Sequence, residues 1–347
     1  MLNDLLLIGE SAVSSILAGR ESELMDTVRA AYETHARGLS SLTHSTFLRF
    51  PEAPGNRIIA LPAYLGGEFE VAGIKWISSF PGNHDLGMER ASAVVILNST
   101  LTGRPTAILE GGVISAKRTA ASAALAARHL HDLKEGAPAG LIGCGLINFE
   151  IMRFLRAAFP GLKDFVVFDL DAARAARFRD RCQEEFVGVN VAVVDETKDV
   201  LRRAPLVSLA TTALKPHIED LSECAPGSTI LHVSLRDITA EAILGCDNVT
   251  DDIDHACRAE TSLHLAERRT GGRGFIRCTL ADILLGHAPA RREAGGVAVF
   301  SPFGLGVLDV AVAKLVYDAA REQGVGVVDS FLPAAVTPTA LRALESR

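Results

Sequence analysis

Hydrophobic positions in the first third of the chain change from a helical to a strand-like pattern. Leu24, Val28, Ala31 and Tyr32 fall on one helical face, and Gly38 ends that helix. Short strand-like runs follow, separated by proline and glycine clusters, at residues 47–50, 58–61, 71–78 and 93–98. This part of the chain is therefore predicted to be a mixed α+β domain.

The middle of the chain alternates between apolar runs and helical patterns. An alanine-rich helix is predicted over residues 115–135, because alanine favours the helix. Strands are predicted at residues 140–142, 165–168, 189–194, 206–210 and 229–234. Helical stretches lie between the first of them, at residues 146–159, 172–186 and 197–203. Strands that are apolar on both faces and alternate with helices indicate a parallel sheet covered on both sides.

The clearest motif, Gly143-Cys144-Gly145-Leu146-Ile147-Asn148, lies where the first of these strands meets a helix. Its first glycine permits a tight turn, its second lets the backbone approach a pyrophosphate, and the helix start supplies free N–H groups. Asn148 stands where such motifs carry Gly or Ala. Asp169 ends the next strand, where a carboxylate would bind the hydroxyls of an adenosine ribose. The same carboxylate would repel a 2′-phosphate, so the motif favours NAD over NADP. Thr211 follows the fourth of these strands. It either contacts the cofactor, or it is simply the residue at which the strand ends.

The last strong helical pattern, over residues 307–323, is expected to return to the first domain. The predicted fold is therefore α/β, with a Rossmann-type dinucleotide-binding domain inserted in a discontinuous α+β domain. The inserted domain covers residues 121–305, and the discontinuous domain covers residues 1–120 plus 306–347.

Composition narrows the classes of function. The chain has 35 Lys and Arg against 42 Asp and Glu, a net charge of −7, and this disfavours nucleic-acid binding, which needs a basic face. No apolar run approaches the roughly 18 residues of a membrane span. The N-terminus lacks the basic start of a secretory signal, so we expect a cytoplasmic protein. The six cysteines form no CxxC pair and no metal-ligand spacing, so we expect reduced, mostly buried thiols and no metal site.

Four cationic residues are candidates for anion binding. Lys75 lies inside the apolar run 73–77, where a buried ammonium needs a partner or loses its charge. It is either a carboxylate clamp or proton shuttle, or a lysine that extends from a sheet edge to water. Arg118 begins the alanine-rich helix, and Arg49 and Arg57 flank a Pro-Glu-Ala-Pro stretch. The alternative for all three is that they are charges exposed to solvent and bind no ligand.

Asp237 is the candidate general acid or base, because it follows a predicted strand at the edge where parallel sheets bind ligands. Spacing alone favours a different role, as a cap that it shares with Thr239 before the helix 240–244. The acidic run 251–255 is expected to be a solvated turn rather than a metal site, and His84 a loop residue.

These motifs together resemble the ornithine cyclodeaminase/μ-crystallin family over nearly the full chain. The resemblance is carried by Gly73-Ile74-Lys75-Trp76, Phe80-Pro81-Gly82-Asn83, Thr102-Gly103-Arg104-Pro105, residues 116–121, the Gly143 loop and Phe303-Gly304-Leu305-Gly306. Within the family, the chain is most similar to the N-(2-amino-2-carboxyethyl)-L-glutamate dehydrogenases of 2,3-diaminopropionate biosynthesis, which supply siderophore and antibiotic pathways. Residues 56–62, 76–83 and 90–93 carry that closer similarity.

The resemblance implies a homodimer whose discontinuous domain binds substrate and forms a barrel-like interface. It puts Arg49 and Lys75 on substrate carboxylates, and Arg118 on substrate or on a cofactor phosphate. It makes Asp237 the catalytic aspartate and Lys75 part of the reacting site. The residues implied to bind NAD are Arg118, Gly143, Cys144, Gly145, Leu146, Ile147, Asp169, Thr211, Ser301, Pro302, Phe303 and Gly304.

The implied reaction is the NAD-dependent oxidative hydrolysis of N-(2-amino-2-carboxyethyl)-L-glutamate to 2-oxoglutarate, L-2,3-diaminopropionate and NADH. That small molecule carries three carboxylates, which suits a site rich in Lys75, Arg118 and the pair Arg49 and Arg57. An aliphatic residue near Ile59, where cyclodeaminases carry an acid, argues against ornithine cyclisation. Ornithine cyclodeaminase, a ketimine or imino-acid reductase, and a non-catalytic NAD-binding protein are the alternatives.

Overall fold

The computed structural model describes residues 4–329, and at residues 84 and 85 the backbone alone. Its strands are β1 (Leu5–Ile8), β2 (Ser40–Leu42), β3 (Thr46–Arg49), β4 (Arg57–Leu65), β5 (Val71–Ser79), β6 (Ala91–Asn98), β7 (Pro105–Glu110), β8 (Ala139–Ile142), β9 (Asp164–Phe168), β10 (Asn190–Val193), β11 (Leu206–Leu209), β12 (Thr229–His232), β13 (Asp247–Thr250), β14 (Ile276–Thr279), β15 (Ala298–Phe300) and β16 (Val327–Asp329). Its α-helices are α1 (Glu10–Leu17), α2 (Glu21–Ala36), α3 (Gly112–Leu130), α4 (Leu146–Ala158), α5 (Ala172–Glu185), α6 (Thr197–Arg203), α7 (Ala240–Leu244), α8 (Ile253–Ala256), α9 (Ser262–Thr270), α10 (Leu280–Leu284) and α11 (Gly306–Gln323), and a 3-10 helix spans Pro81–Leu86.

The chain divides into two compact units. Of the described residues, unit 1 holds 4–20, 37–115 and 306–329, and unit 2 holds 21–36 and 116–305. Residues 1–3 and 330–347 of the predicted discontinuous domain lie outside the described residues.

The structure corrects the predicted division at two points. The chain passes from unit 1 to unit 2 within α3, after residue 115 instead of 120, and α2 groups with unit 2. Helix α2 does so because its apolar face packs against α4 and α10, and because the Tyr32 hydroxyl hydrogen-bonds to Ser122 Oγ at 2.8 Å. The helical spacing of Leu24 and Val28 predicts a buried face, but it does not say which domain covers that face.

Unit 1 is built on a mixed sheet in the order β16-β1-β7-β6-β5-β4-β2, with β3 also pairing to β4. Strand β1 runs parallel to β7, and the other neighbours are antiparallel. One face of β4 and β5 packs against α11. The approach is close at Gly306, where a Cβ would lie 3.0 Å from the Leu61 carbonyl oxygen, so the helix start needs glycine.

Unit 2 is built on a wholly parallel sheet in the order β10-β9-β8-β11-β12-β15-β13-β14. The chain moves outward from β8 to β10 and then crosses back to β11 on the other side of β8. Such a reversal opens a crevice at the carboxyl ends of the strands, and dinucleotides bind there in this class of sheet. The parallel sheet confirms the predicted α/β fold.

Two further expectations concern burial and length. All six cysteines are free thiols, and five of them are buried, as expected from their spacing. Within residues 4–329, none of the helices combines the length and the hydropathy needed to cross a membrane.

Candidate active site

The loop between β8 and α4 leaves room for a ligand at a helix N-terminus. Gly143 has a φ of +92°, and a Cβ on it would lie 2.5 Å from the Ala210 carbonyl oxygen, so only glycine fits this turn. A Cβ on Gly145 would meet nothing within 4 Å. There is therefore open space beside the N-terminus of α4, where the first N–H groups have no partner within the helix, and such a terminus suits a phosphate. Cys144, Leu146 and Ile147 complete the loop and the first turn of this helix.

Asp169 follows β9 and is bound to the same loop. One of its carboxylate oxygens accepts the Cys144 N–H at 2.8 Å, and the other accepts the Asp171 N–H at 2.9 Å. The structure thus brings the predicted glycine loop and the predicted acidic residue together. Burial, with the nearby charge of Asp169, raises the pKa of the Cys144 thiol to about 12, so this cysteine stays protonated.

Asn148, the residue that departs from the usual motif, holds the loop in place. Its fully buried side chain donates to the carbonyl oxygens of Ile142, at 2.9 Å, and Gly143, at 2.7 Å. Its amide oxygen accepts the Ser208 hydroxyl at 2.7 Å. A single amide therefore ties the turn to both β8 and β11, which a glycine or alanine at this position would not do.

Asp237 is not the cap that its spacing favours. The cap of α7 is Thr239, whose hydroxyl oxygen accepts the Ala242 N–H at 3.4 Å. Asp237 is instead fully buried at the end of the segment that follows β12. Its carboxylate accepts short hydrogen bonds from the hydroxyls of Thr211 and Ser234. Thr211 is thus more than a strand end, because it holds this carboxylate.

His232 is the third group beside Asp237. Its Nε2 lies 3.3 Å from the carboxylate, and the whole side chain is buried. Burial by itself raises the pKa of Asp237, but the hydrogen bond and charge of His232 together with the Ser234 and Thr211 hydroxyls outweigh burial and lower the pKa to about 2. Asp237 is therefore ionised throughout the neutral range.

A continuous chain of contacts links Asp237 to the segment after β15. His232 Nδ1 lies 3.2 Å from Ser301 Oγ, and the following residues are fixed by Asp251, which accepts the N–H groups of Phe303 at 2.9 Å and Gly304 at 2.7 Å. The expectation of a solvated turn is wrong for Asp251, which is 2% exposed. It is buried because those two N–H groups and that of the next residue replace its water.

Arg118 lies at the far side of this segment. Gly304 has a φ of +92°, and a Cβ on it would lie 2.9 Å from Arg118 Nη1, so the guanidinium packs directly against the glycine. Pro302 is buried between the two ends of the segment. The predicted residues Arg118, Asp237 and Ser301 to Gly304 therefore form one connected group in unit 2.

Lys75 has a buried partner in unit 1. Its ammonium lies 2.8 Å from a carboxylate oxygen of Asp309 and donates to Ser115 Oγ at 3.1 Å. Lys75 is 2% exposed and Asp309 is fully buried. The alternative of a lysine that extends to water from a sheet edge is therefore wrong.

Arg49 and Arg57 lie on the same sheet face as Lys75, further along the strands. They are register partners on β3 and β4, and Arg57 is also paired with Ser79 of β5. Ser79 is four residues from Lys75, an even number, so their side chains leave the same face. The spacing along the strand is about 13 Å.

Sequence reasoning missed His232, Ser234, Asp251 and Asp309. Two of them carried a usable signal. Asp309 is a lone acid in the apolar stretch 307–313, and Lys75 is a lone base in an apolar run, so each needed an opposite charge. His232 is likewise the polar end of a buried strand.

Comparison with known proteins gives a full-length match. The model of the ornithine cyclodeaminase/mu-crystallin family matches residues 11–324. The N-((2S)-2-amino-2-carboxyethyl)-L-glutamate dehydrogenase of Staphylococcus aureus is 29% identical, over 94% of this chain and 98% of its own. Among solved structures, an archaeal alanine dehydrogenase dimer with bound NAD is 25% identical with a TM-score of 0.83, over 95% of this chain and 100% of its own. The crystal structure of CmnK is 29% identical with a TM-score of 0.86, over 96% of this chain and 100% of its own.

We expect Asn148→Ala to lower the free energy of unfolding by about 1–3 kcal/mol, because it leaves buried hydrogen-bonding groups without partners. Urea unfolding followed by circular dichroism measures this change. Asn190→Ala is the control, since that side chain makes one exposed hydrogen bond to Asp164, and it should change stability by less than about 0.5 kcal/mol. Equal stability of the two variants would contradict a tethering role for Asn148.

We expect His232→Leu to raise the pKa of Asp237 above about 2, because the hydrogen bond and charge are lost while burial persists. A ¹³C NMR titration of the aspartate carboxyl groups, assigned with Asp237→Asn, measures it. The depressed wild-type pKa adds stability that is complete above the ordinary value of 3.8 and is lost as the pH falls through about 2. The variant lacks this contribution. An unchanged titration, matching that of the exposed-site control His287→Asn, would remove His232 from this role.

Proposed function

The chain belongs to the ornithine cyclodeaminase/mu-crystallin family, and from this premise we propose that it is an NAD-dependent dehydrogenase of N-(2-amino-2-carboxyethyl)-L-glutamate. The observation that carries the proposal is the match, along nearly both entire chains, to a dehydrogenase of that compound. The products are 2-oxoglutarate, L-2,3-diaminopropionate and NADH. The diamino acid is a building block for siderophore or antibiotic synthesis.

NAD fits the loop between β8 and α4. The open space at Gly145 and the free N–H groups of α4 suit the pyrophosphate, and Asp169 keeps lone pairs for ribose hydroxyls. The negative charge of Asp169 disfavours a 2′-phosphate. We assign Thr211 and Ser301 to Gly304 to the rest of the dinucleotide. When bound, NAD supplies the acceptor for the hydride that leaves the nitrogen-bearing carbon of the glutamate part.

The substrate carboxylates call for fixed cations. In unit 1 we assign Lys75 and Arg49 to the α-carboxylate of the glutamate part. Asp309 and Ser115 hold the Lys75 ammonium in one orientation, so little entropy is lost when it binds. In unit 2 we assign Arg118 to a carboxylate or to a cofactor phosphate, since Gly304 leaves its guanidinium in a fixed position.

Asp237 suits the second half of the reaction. Loss of hydride and a proton from the secondary amine leaves a C=N bond, water adds to its carbon, and the C–N bond breaks once the nitrogen takes up a proton. A carboxylate with a pKa of about 2 is a weak base, so it removes little of the water proton on its own. It is permanently ionised, however, and therefore stabilises a cationic C=N group electrostatically.

Two hydroxyls connect Asp237 to the reacting groups. Asp237 is fully enclosed, whereas Thr211 and Ser234 are half-buried and both donate to its carboxylate. We propose that protons move to and from the carboxylate through these hydroxyls. The water proton passes along this path to the leaving nitrogen, and the carboxylate balances the charge during the transfer.

We propose that the chain forms a homodimer through the other face of the unit 1 sheet. Ala60, Trp76 and Val94 are register partners on that face, and Trp76 and Val94 are 39% and 38% exposed. Exposed apolar groups in one row of a sheet are typical of an interface. The archaeal relative of known structure is a dimer.

The function is tested by incubating the protein with NAD and N-(2-amino-2-carboxyethyl)-L-glutamate. We expect NADH, 2-oxoglutarate and 2,3-diaminopropionate in equal amounts, measured by absorbance and mass spectrometry. Asp237→Asn should lower turnover at least about 100-fold, because it removes the charge that serves the hydrolysis. Asp180→Asn is the control at an exposed aspartate.

Three outcomes would contradict this function. Release of ammonia from ornithine without net NADH would identify a cyclodeaminase. Reduction of a cyclic imino acid by NADH, with no oxidation of the N-linked glutamate, would identify a reductase. Binding of NAD without turnover of any of these compounds would identify a non-catalytic protein.

We expect Trp76→Glu to convert the dimer to a monomer, because a buried carboxylate without a partner opposes association. Sedimentation velocity measures the mass. Val187→Glu, at an 89% exposed valine in unit 2, is the control and should remain dimeric. A dimer that withstands Trp76→Glu would place the interface elsewhere.

A further inference from the structure

Three guanidinium groups meet at one end of the unit 1 sheet. Arg49 ends β3, and Arg57 begins β4 as its register partner. The same row of the sheet continues from Arg57 to Ser79 of β5 and Ala91 of β6. Arg90 comes directly before Ala91 in the chain. The register thus places Arg49 beside Arg57, and the electrostatic effect of Arg57 on Arg90 shows that Arg90 lies near them. Arg90 played no part in the sequence-based site.

Arg57 is repelled by Arg49 and by Arg90, and the described side chains form no ion pair with any of the three arginines. Burial, with the charge of Arg49, lowers the pKa of Arg57, and burial, with the charge of Arg57, lowers the pKa of Arg90. Within residues 4–329, leaving aside the side chains of 84 and 85, Arg57 Nε is buried without a hydrogen-bond partner. A guanidinium stays charged even when its pKa falls, so this arrangement is costly until an anion binds.

The cluster is placed to meet the far end of an extended substrate. Arg49 and Arg57 lie on the sheet face that carries Lys75, about 13 Å along the strand from the Lys75 row, and arginine side chains span part of that distance. Lys75 is already ion-paired with Asp309, whereas Arg57 and Arg90 form no ion pair with the side chains that the structure describes. The planar fork of a guanidinium matches the two oxygens of a carboxylate.

We propose that Arg57 and Arg90, next to Arg49, bind the carboxylate at the end of the substrate side chain and so select dicarboxylic over monocarboxylic amino acids. This inference rests on the proposed function for the identity of the substrate. It goes beyond that function by assigning the second carboxylate of the glutamate part to a specific pair of residues, one of them new.

The test uses ligand binding rather than turnover. Isothermal titration calorimetry of the protein saturated with NADH compares 2-oxoglutarate with 2-oxopentanoate, which has a methyl group in place of the distal carboxylate. We expect the wild type to bind 2-oxoglutarate at least about tenfold more tightly. Arg57→Gln and Arg90→Gln should each remove most of this preference and leave the binding of 2-oxopentanoate unchanged. Arg104→Gln, at the turn between β6 and β7, is the matched control.

Lysine variants keep the inference testable if the glutamine variants fail to fold. Arg57→Lys and Arg90→Lys keep the charge but lose the bidentate geometry, so we expect an intermediate preference for 2-oxoglutarate. Inorganic phosphate is the competitor that reveals a general anion site. If phosphate binding depends on Arg57 and Arg90 while the preference for 2-oxoglutarate does not, the assignment to a substrate carboxylate is wrong.

The outcomes separate this inference from the proposed function. Selection of 2-oxoglutarate through Arg57 and Arg90, without oxidation of the N-linked glutamate, would keep the dicarboxylate site and reject the proposed substrate. Oxidation of that substrate with unaltered discrimination in both variants would reject the site alone. A wild type with no preference between the two oxo acids would also overturn the inference.

Discussion

The ion pair between Lys75 and Asp309 shows the constraint that governs the functional residues, which is that a charge removed from water needs a partner. Neither side chain has appreciable access to solvent, so removal of one would leave the other as an isolated buried charge, a change that costs several kcal/mol in proteins. The same requirement explains Asp251, whose carboxylate takes backbone N–H groups in place of a cation. Function and folding thus depend on the same contacts.

Asp237 and the arginines of unit 1 differ in whether they meet this requirement. Asp237 satisfies it with a histidine and two hydroxyls, which leaves a stable negative charge close to half-buried polar groups. The arginines at Arg57 and Arg90 do not satisfy it among the described residues. A charged group that is removed from water and lacks a partner indicates a ligand site.

Local patterns predicted most of the fold and part of the site. The helix-strand alternation found β8 to β12 with bounds close to those observed, because those strands are apolar on both faces and their connections carry glycine or proline. The glycine loop and Asp169 were predictable since both belong to one short βαβ segment. Strands β13 and β14 were missed because polar residues interrupt their apolar pattern, and β15 because it has only three residues.

The remainder depended on contacts between distant residues. Asp237 and Thr239 both come shortly before α7, and the sequence does not show which of them caps it. The structure shows that Thr239 is the cap, whereas Asp237 is held by Thr211 and lies beside His232. The helix α2 likewise shows its apolar face in sequence, but the surface that covers it lies more than a hundred residues away, in α4 and α10. Periodicity reports that a face is buried, and it carries no information on what buries it.

The charge balance of unit 1 has a consequence for recognition. Asp309 balances the charge of Lys75, so in the proposed site this lysine would contribute directed hydrogen bonds but little net attraction for an anion. The net positive charge on this face of the sheet comes from its guanidinium groups. In the proposed site, an amino acid with one carboxylate needs only the fixed lysine and one arginine, and two further half-buried arginines would then raise the energy of the folded protein without benefit. The proposed substrate, with more than one carboxylate, would account for these arginines, since each added negative charge offsets part of the repulsion between them.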